Sequence, residues 1–410
     1  MSRAADRVFS GLLVGACLVV ASSADAQGNI GARGVTPQWT FGGRGLVSTP
    51  VIRDGGDAMD TRWKLVDFAD TGLMTRLDTA LYDDTIASFA MGVRITDSDS
   101  PLWPAYLMQL EGALQTRHFV FQAGRRRRPS VGVTMPTLRD EDLLHFIFPL
   151  NPFSAGGLEE DAIFTDLLSG TLRWDFRWHA QLFVESLRNT TETGDPNDRA
   201  GIEPNSGGLR LYYDQLPALT RVSVIRHAGV GFYAQRAGSR IPEISDRNLM
   251  WQGKAETAIN LWPDPIHLVD VRATAIYQHG ATDNSLDTIT GNWRARYVSG
   301  ALAFRYLYAP YQLDRFQAGL SLAYRSLVDR PGWETAVIPS LVFMAGGNTD
   351  IVLQYMFKRR SDELSAADSI PRREHRIELA FSYTFEVTLF GTVNLPRDLV
   401  NADYNYVPVN

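Results

Sequence analysis

Residues Leu249 to Trp262 read LMWQGKAETAINLW. Leu249, Trp251, Gly253, Ala255, Thr257, Ile259 and Leu261 share one parity, and Met250, Gln252, Lys254, Glu256, Ala258 and Asn260 share the other. Successive side chains of an extended strand point to opposite faces, so this segment has one apolar face and one charged or amide-bearing face. The pattern recurs. Val269, Val271, Ala273, Ala275 and Tyr277 oppose Asp270, Arg272 and Thr274; Phe316 to Tyr324 alternates with Arg315 to Arg325; Ile377 to Phe385 alternates with Arg376 to Thr384. Strands of soluble sandwiches also alternate, but they usually run about 5–6 residues. These runs extend over 9 to 14, and about 9–11 tilted residues are needed to cross the hydrocarbon of a bilayer. The apolar faces suit lipid and the charged faces a wet lumen.

The ends of the runs agree with that reading. Trp174, Trp178, Tyr213, Trp251, Trp262, Tyr277, Tyr306, Tyr308 and Tyr324 fall near strand ends, where membrane barrels carry aromatic girdles. Connections alternate in length. Short turns are expected at Asp83-Asp84, Thr116 to His118, Phe176 to Trp178, Asp214 to Leu219, Pro263 to Ile266, Ala309 to Leu313 and Ala345 to Asn348. Longer polar segments separate them, the longest being Pro129 to Asp166. Short periplasmic turns and long extracellular loops are the asymmetry of outer-membrane barrels. The expected fold is all-β: a single antiparallel transmembrane β-barrel of about sixteen strands (14 to 18), the first from Gln38 to Val51. Arg62 to Phe68 would add a strand pair, and Leu219 to Tyr233 is an irregular alternator within the count.

Composition narrows the rest. A chain of 410 residues that is 45% hydrophobic and 21% charged is not generally disordered. The net charge of −6 gives no footprint for nucleic acid. No stretch approaches 18 consecutive apolar residues, so a helical membrane protein is excluded. Residues 1–26 read as a secretory signal peptide, with Arg3 and Arg7, the apolar run Val8 to Val20, and Ala24-Asp25-Ala26 as a cleavage site. Cys17, the only cysteine, leaves with it, so no disulfide is expected. The barrel is expected within 27–390, with the long loop at 129–166 and a periplasmic tail at 391–410.

The pattern over residues 36 to 390 resembles Gram-negative outer-membrane porins and related export barrels. Phe381-Ser382-Tyr383-Thr384-Phe385 looks like the aromatic terminal-strand signal, carried by Phe381, Tyr383 and Phe385, that the barrel-assembly machinery reads. In most porins that signal ends the chain, whereas here 25 residues follow. The resemblance implies an outer-membrane location in a Gram-negative bacterium, and porins of this size are often homotrimers.

Parity assigns the lumen. Arg126 and Arg128 of the run Arg125-Arg126-Arg127-Arg128 point inward with Gln122, as do Arg76, Arg94, Arg173, Arg210, Arg272, Arg315, Arg325 and Arg376. Arg125 and Arg127 are expected at the outer rim, facing anionic lipid headgroups. Inward acids are Asp78, Glu111, Asp175, Asp214, Glu256, Asp270 and Glu378. The long loop mixes Asp140-Glu141-Asp142 with the apolar run Leu143 to Leu150 and resembles a porin constriction loop folded against the wall. The three acids would then oppose the arginines, and rings of charge set selectivity in pores. The expected function is passive diffusion of small polar or charged solutes, without cofactor or catalytic residue. An exporter of an acidic exopolysaccharide and a plugged structural or adhesive barrel fit the same pattern. The seven histidines sit beside no nucleophile motif, and H-E-x-x-H and cysteine pairs are absent, so the pattern offers neither an enzyme site nor a metal site.

Overall fold

The structure is a computed structural model. It describes residues 38–54, 71–82, 85–95, 107–127, 129, 133, 135–138, 143, 146, 164–174, 177–186, 206–215, 219–236, 249–279, 296–310, 314–328, 331–346, 349–363 and 372–390. The expected leader 1–26, the segment Arg62 to Phe68 and the expected tail 391–410 lie outside them.

Sixteen strands follow one another as hairpins: β1 (Gln38–Asp54), β2 (Thr71–Tyr82), β3 (Thr85–Ile95), β4 (Leu107–Thr116), β5 (Phe119–Arg127), β6 (Phe164–Trp174), β7 (Trp178–Ser186), β8 (Ser206–Asp214), β9 (Ile225–Arg236), β10 (Leu249–Trp262), β11 (His267–His279), β12 (Arg296–Tyr308), β13 (Phe316–Leu327), β14 (Trp333–Gly346), β15 (Thr349–Arg360) and β16 (Arg373–Phe390). Each pairs antiparallel with its neighbours, and β1 pairs with β16 from Trp39↔Phe390 to Asp54↔His375, closing the ring. In hydrocarbon an unpaired backbone group costs several kcal/mol, and only a closed sheet leaves no edge. All seven short connections fall where the turn residues place them. The fourth is longer than expected. β9 begins at Ile225, so residues 215–224 form the turn, held by Ser223 N donating to Leu219 O (3.0 Å) and Asn260 Nδ2 to Thr220 O (2.6 Å). At the fifth, Asp264 Oδ1 accepts from the backbone N–H groups of Ile266 and His267 (2.7 and 2.8 Å), which hold its carboxyl below the usual range.

The barrel is built inside out. Outward Leu182, Trp262 and Phe343 are 63%, 62% and 56% exposed, whereas inward Asp270, Gln252 and Glu334 are 0–1% exposed. Apolar side chains on the open face and charged ones on the enclosed face reverse the arrangement of a soluble protein, and a surrounding of lipid makes that reversal favourable. Phe381 and Tyr383 are outward and exposed, and Phe385 packs on Phe41 of β1 with ring centroids 5.6 Å apart. The aromatic run Phe381 to Phe385 therefore lies across the closing seam, and β16 runs five residues beyond it.

One strand residue has an unusual backbone. Gly124 has φ 124°, a conformation L side chains rarely adopt, and a Cβ there would overlap the Leu110 carbonyl oxygen. The next residue, Arg125, is buried (6% exposed), as is Arg126. Arg125 stands opposite Asp166 of β6 in register. Arg125 keeps the outward parity of Leu110 and Asp166, its register partners on β4 and β6, but is covered there rather than exposed. The Arg127 side chain is outside the described residues. Gly124→Ala is expected to destabilise the barrel by about 2 kcal/mol through strained backbone alone; urea-unfolding midpoints of folded wild type and variant measure it.

Candidate pore lining

The inward faces carry networks of paired charge. On β10, Glu256 accepts from Arg210 of β8 (2.7 Å) and lies 3.3 Å from Lys254 and 3.2 Å from His227 Nε2, whose other nitrogen is 2.5 Å from Asp214. On β11, Asp270 is shared by three arginines. Arg226 reaches it at 2.7 Å, Arg272 lies at 3.6 Å, and Arg305 donates through both Nε and Nη2, the former at 2.8 Å. Among the described residues, one carboxylate thus stands among three guanidiniums. Further round, Glu334 accepts from Arg360 (2.8 Å) and faces Arg325 (3.4 Å), and Arg376 pairs with Glu378 (2.9 Å). Arg76 pairs with Asp78 (2.9 Å), and Arg126 lies 3.5 Å from Glu111.

The long connection between β5 and β6 enters this lumen. Val133 N donates to Glu256 Oε2 (3.1 Å), Leu138 N to Gln354 Oε1 (2.6 Å), and Ser340 Oγ to Pro136 O (2.9 Å). Ser340 and Gln354 are partners in register midway along β14 and β15. In a ring of sixteen strands β5 and β13 are eight places apart, so the loop crosses to the opposite wall. There it is seated in two apolar clusters. Met135, Leu143 and Phe146 pack with Ala301, Ala303, Ala323, Ala336, Ile338 and Met356; Leu138 packs with Leu268, Leu307, Val342, Met344, Val352 and Ala380. At Gly319 a Cβ would come within 2.7 Å of Ser340 Oγ and 3.2 Å of Pro136 Cβ, so glycine is what leaves room for the strap. The infolded arrangement holds for the described loop residues, and the connection spans residues 128–163 rather than 129–166, because Phe164 already begins β6.

The arginines selected by parity divide as follows. Arg76, Arg126, Arg173, Arg210, Arg272, Arg325 and Arg376 are on inward positions and buried or half-buried. Arg315 is different: it precedes β13 at the short-turn end and is exposed. Its backbone N–H donates to Tyr308 O, and its C=O accepts from Met344 N. Arg94 is in β3, but its side chain, Arg128, Asp175 and the loop acids Asp140, Glu141 and Asp142 lie outside the described residues. The structure adds Arg226, Arg305, Lys358, Arg360, Glu185 and Glu334 to the wall. Parity could have found Arg305, which is flanked by Phe304 and Tyr306. The apolar seat also had a signal: in β12 and β14 both parities are largely apolar, which a wholly wet inner face does not explain.

No family model and no curated protein matches the chain in sequence. Solved structures do match in shape. The anion-selective porin from Comamonas acidovorans is 12% identical with a TM-score of 0.58, over 85% of this chain and all of the other. The outer membrane channel DcaP of Acinetobacter baumannii is 13% identical with a TM-score of 0.57, over 86% and 98%. Salmonella typhi OmpF, solved with daunomycin, is 10% identical with a TM-score of 0.57, over the same shares. At these identities the likeness is one of fold: the chain has the sixteen-strand barrel architecture of outer-membrane porins.

Proposed function

We propose that the protein is an outer-membrane channel for passive diffusion of small polar solutes, with a preference for anions. The observation that carries this reading is the cluster of Arg226, Arg272 and Arg305 around the single carboxylate of Asp270 on the lumen face. Fixed positive charge in a narrow aqueous path raises the local concentration of anions and repels cations. The strap at mid-height supports the reading by narrowing the path, and it weighs against export of a polysaccharide, which needs a wide uninterrupted bore. Nothing in this function calls for a catalytic group; the side chains only bind, repel and shape.

The test is single-channel recording of the folded barrel in a planar bilayer under a potassium chloride gradient. Stable open steps with a reversal potential displaced toward the chloride equilibrium are expected. In an Arg226→Gln/Arg272→Gln variant that displacement shrinks while the steps persist. A folded barrel that never conducts would overturn the diffusion channel, and a cation-directed reversal potential would overturn the anion preference.

A further inference from the structure

At the long-loop end of β15 and β16 the outward face carries two arginines directly across from each other. Arg359 and Arg373 are register partners, and both are exposed. Cross-strand neighbours stand about 5 Å apart at Cβ, and like charges there are destabilising. Neither arginine has an acidic partner among the described residues. The nearby acids are otherwise engaged: Asp362 pairs with Arg372 (2.7 Å), Glu334 accepts from Arg360, and Glu374 lies 3.6 Å from Arg360 on the inward face. Glu363 is held by its own backbone N–H and the Ser361 hydroxyl.

The level of the pair along the barrel is defined by its neighbours. Two residues inward along the strands, Phe357 and His375 pack with ring centroids 4.8 Å apart, and Tyr355 Oη lies 2.8 Å from His375 Nδ1. These outward rings form an aromatic belt of the kind that marks the hydrocarbon boundary. Two residues of strand advance by about 7 Å, so the arginines stand just beyond that boundary, in the headgroup layer. Arg359 also lies over the Trp333 ring, with the guanidinium 5.6 Å from the centroid, which fixes its direction.

We infer that Arg359 and Arg373, braced by Trp333, form a binding site for a phosphorylated lipid headgroup on the outer surface of the barrel. A phosphate between two guanidiniums relieves their repulsion and accepts charge-assisted hydrogen bonds from both. The belt below receives the acyl chains, which is why the occupant is a lipid rather than a free anion. The site is independent of the lumen and of what passes through it.

The test titrates the folded barrel in dodecylmaltoside with bisphosphorylated lipid A, its dephosphorylated form, and inorganic phosphate, following binding by native mass spectrometry. Saturable binding of the bisphosphorylated lipid is expected, with the other two weaker by at least tenfold. Each of Arg359→Gln and Arg373→Gln weakens it about fivefold, and the pair roughly twenty-five-fold, from about 1 kcal/mol per arginine. Arg296→Gln, an exposed arginine of β12, leaves it unchanged. Single-channel conductance confirms folding, since none of these side chains faces the lumen. In lipid-free detergent the single variants are at least as stable as wild type, an outcome a purely structural role would reverse. Equal binding of the dephosphorylated lipid, equal binding of inorganic phosphate, or full binding by the double variant would each overturn the site.

Discussion

Asp270→Ala destabilises the barrel by about 3 kcal/mol, because breaking a buried ion pair leaves its partners uncompensated. Here three guanidiniums converge on one fully buried carboxylate. The loss is read as a lowered urea-unfolding midpoint of the refolded protein. The comparison is Asp314→Ala, which removes the partner of Arg221 in a pair that is a quarter to a third exposed; solvent screens such a pair, and less than about 1 kcal/mol is expected. The two variants also separate in current. Asp270→Ala removes the carboxylate that the three arginines share, so the reversal potential moves further toward chloride, whereas Asp314→Ala leaves it in place. Equal midpoints for the two variants would show that the Asp270 cluster is hydrated and weak.

The second large effect concerns the strap. Leu143 and Phe146 are 1% and 0% exposed, and truncating buried residues of that size costs about 2–5 kcal/mol each. Leu143→Ser/Phe146→Ser therefore removes most of what seats the loop on β12 to β15. The sixteen-strand ladder is untouched, so the barrel still closes. With the loop free to leave the lumen, conductance rises about twofold or more as the open cross-section grows. Gln354→Ala, which removes the acceptor of the hydrogen bond from Leu138 N, costs about 1 kcal/mol and changes conductance far less. A folded double variant with wild-type conductance would show that the narrowest point lies elsewhere.

Much of the fold was legible because a transmembrane strand obeys a rule at every residue. Leu249–Trp262 had to present one parity to lipid, and the structure agrees from Gln252 to Asn260 without exception. Turns were legible because Asp83-Asp84 or Pro263-Asp264-Pro265 cannot continue a ladder. Parity failed where local geometry or chain position intervened. Arg125 has the outward parity and Arg126 the inward one, yet both are buried, so exposure at this end of β5 does not follow parity. Arg315 has the inward parity but sits one residue before its strand and is exposed. Arg226 was hidden because β9 starts at Ile225, immediately after an irregular turn. What parity cannot carry at all is which residues of neighbouring strands stand level with one another. Nothing near Asp270 in the sequence says that Arg305 will be its register partner on β12, or that Arg226 on β9 will reach it across β10.

The strap also fixes an order of events. Pro136 and Leu138 bond to Ser340 and Gln354, which lie 204 and 216 residues later in the chain. The loop can seat only once its own hairpin, β5 and β6, and the receiving strands β12 to β15 are all in place, whichever of them is laid down first. A barrel lacking either would hold an undocked connection beside an incomplete wall. The channel therefore acquires its narrow point only when both halves of the wall that bounds it are present.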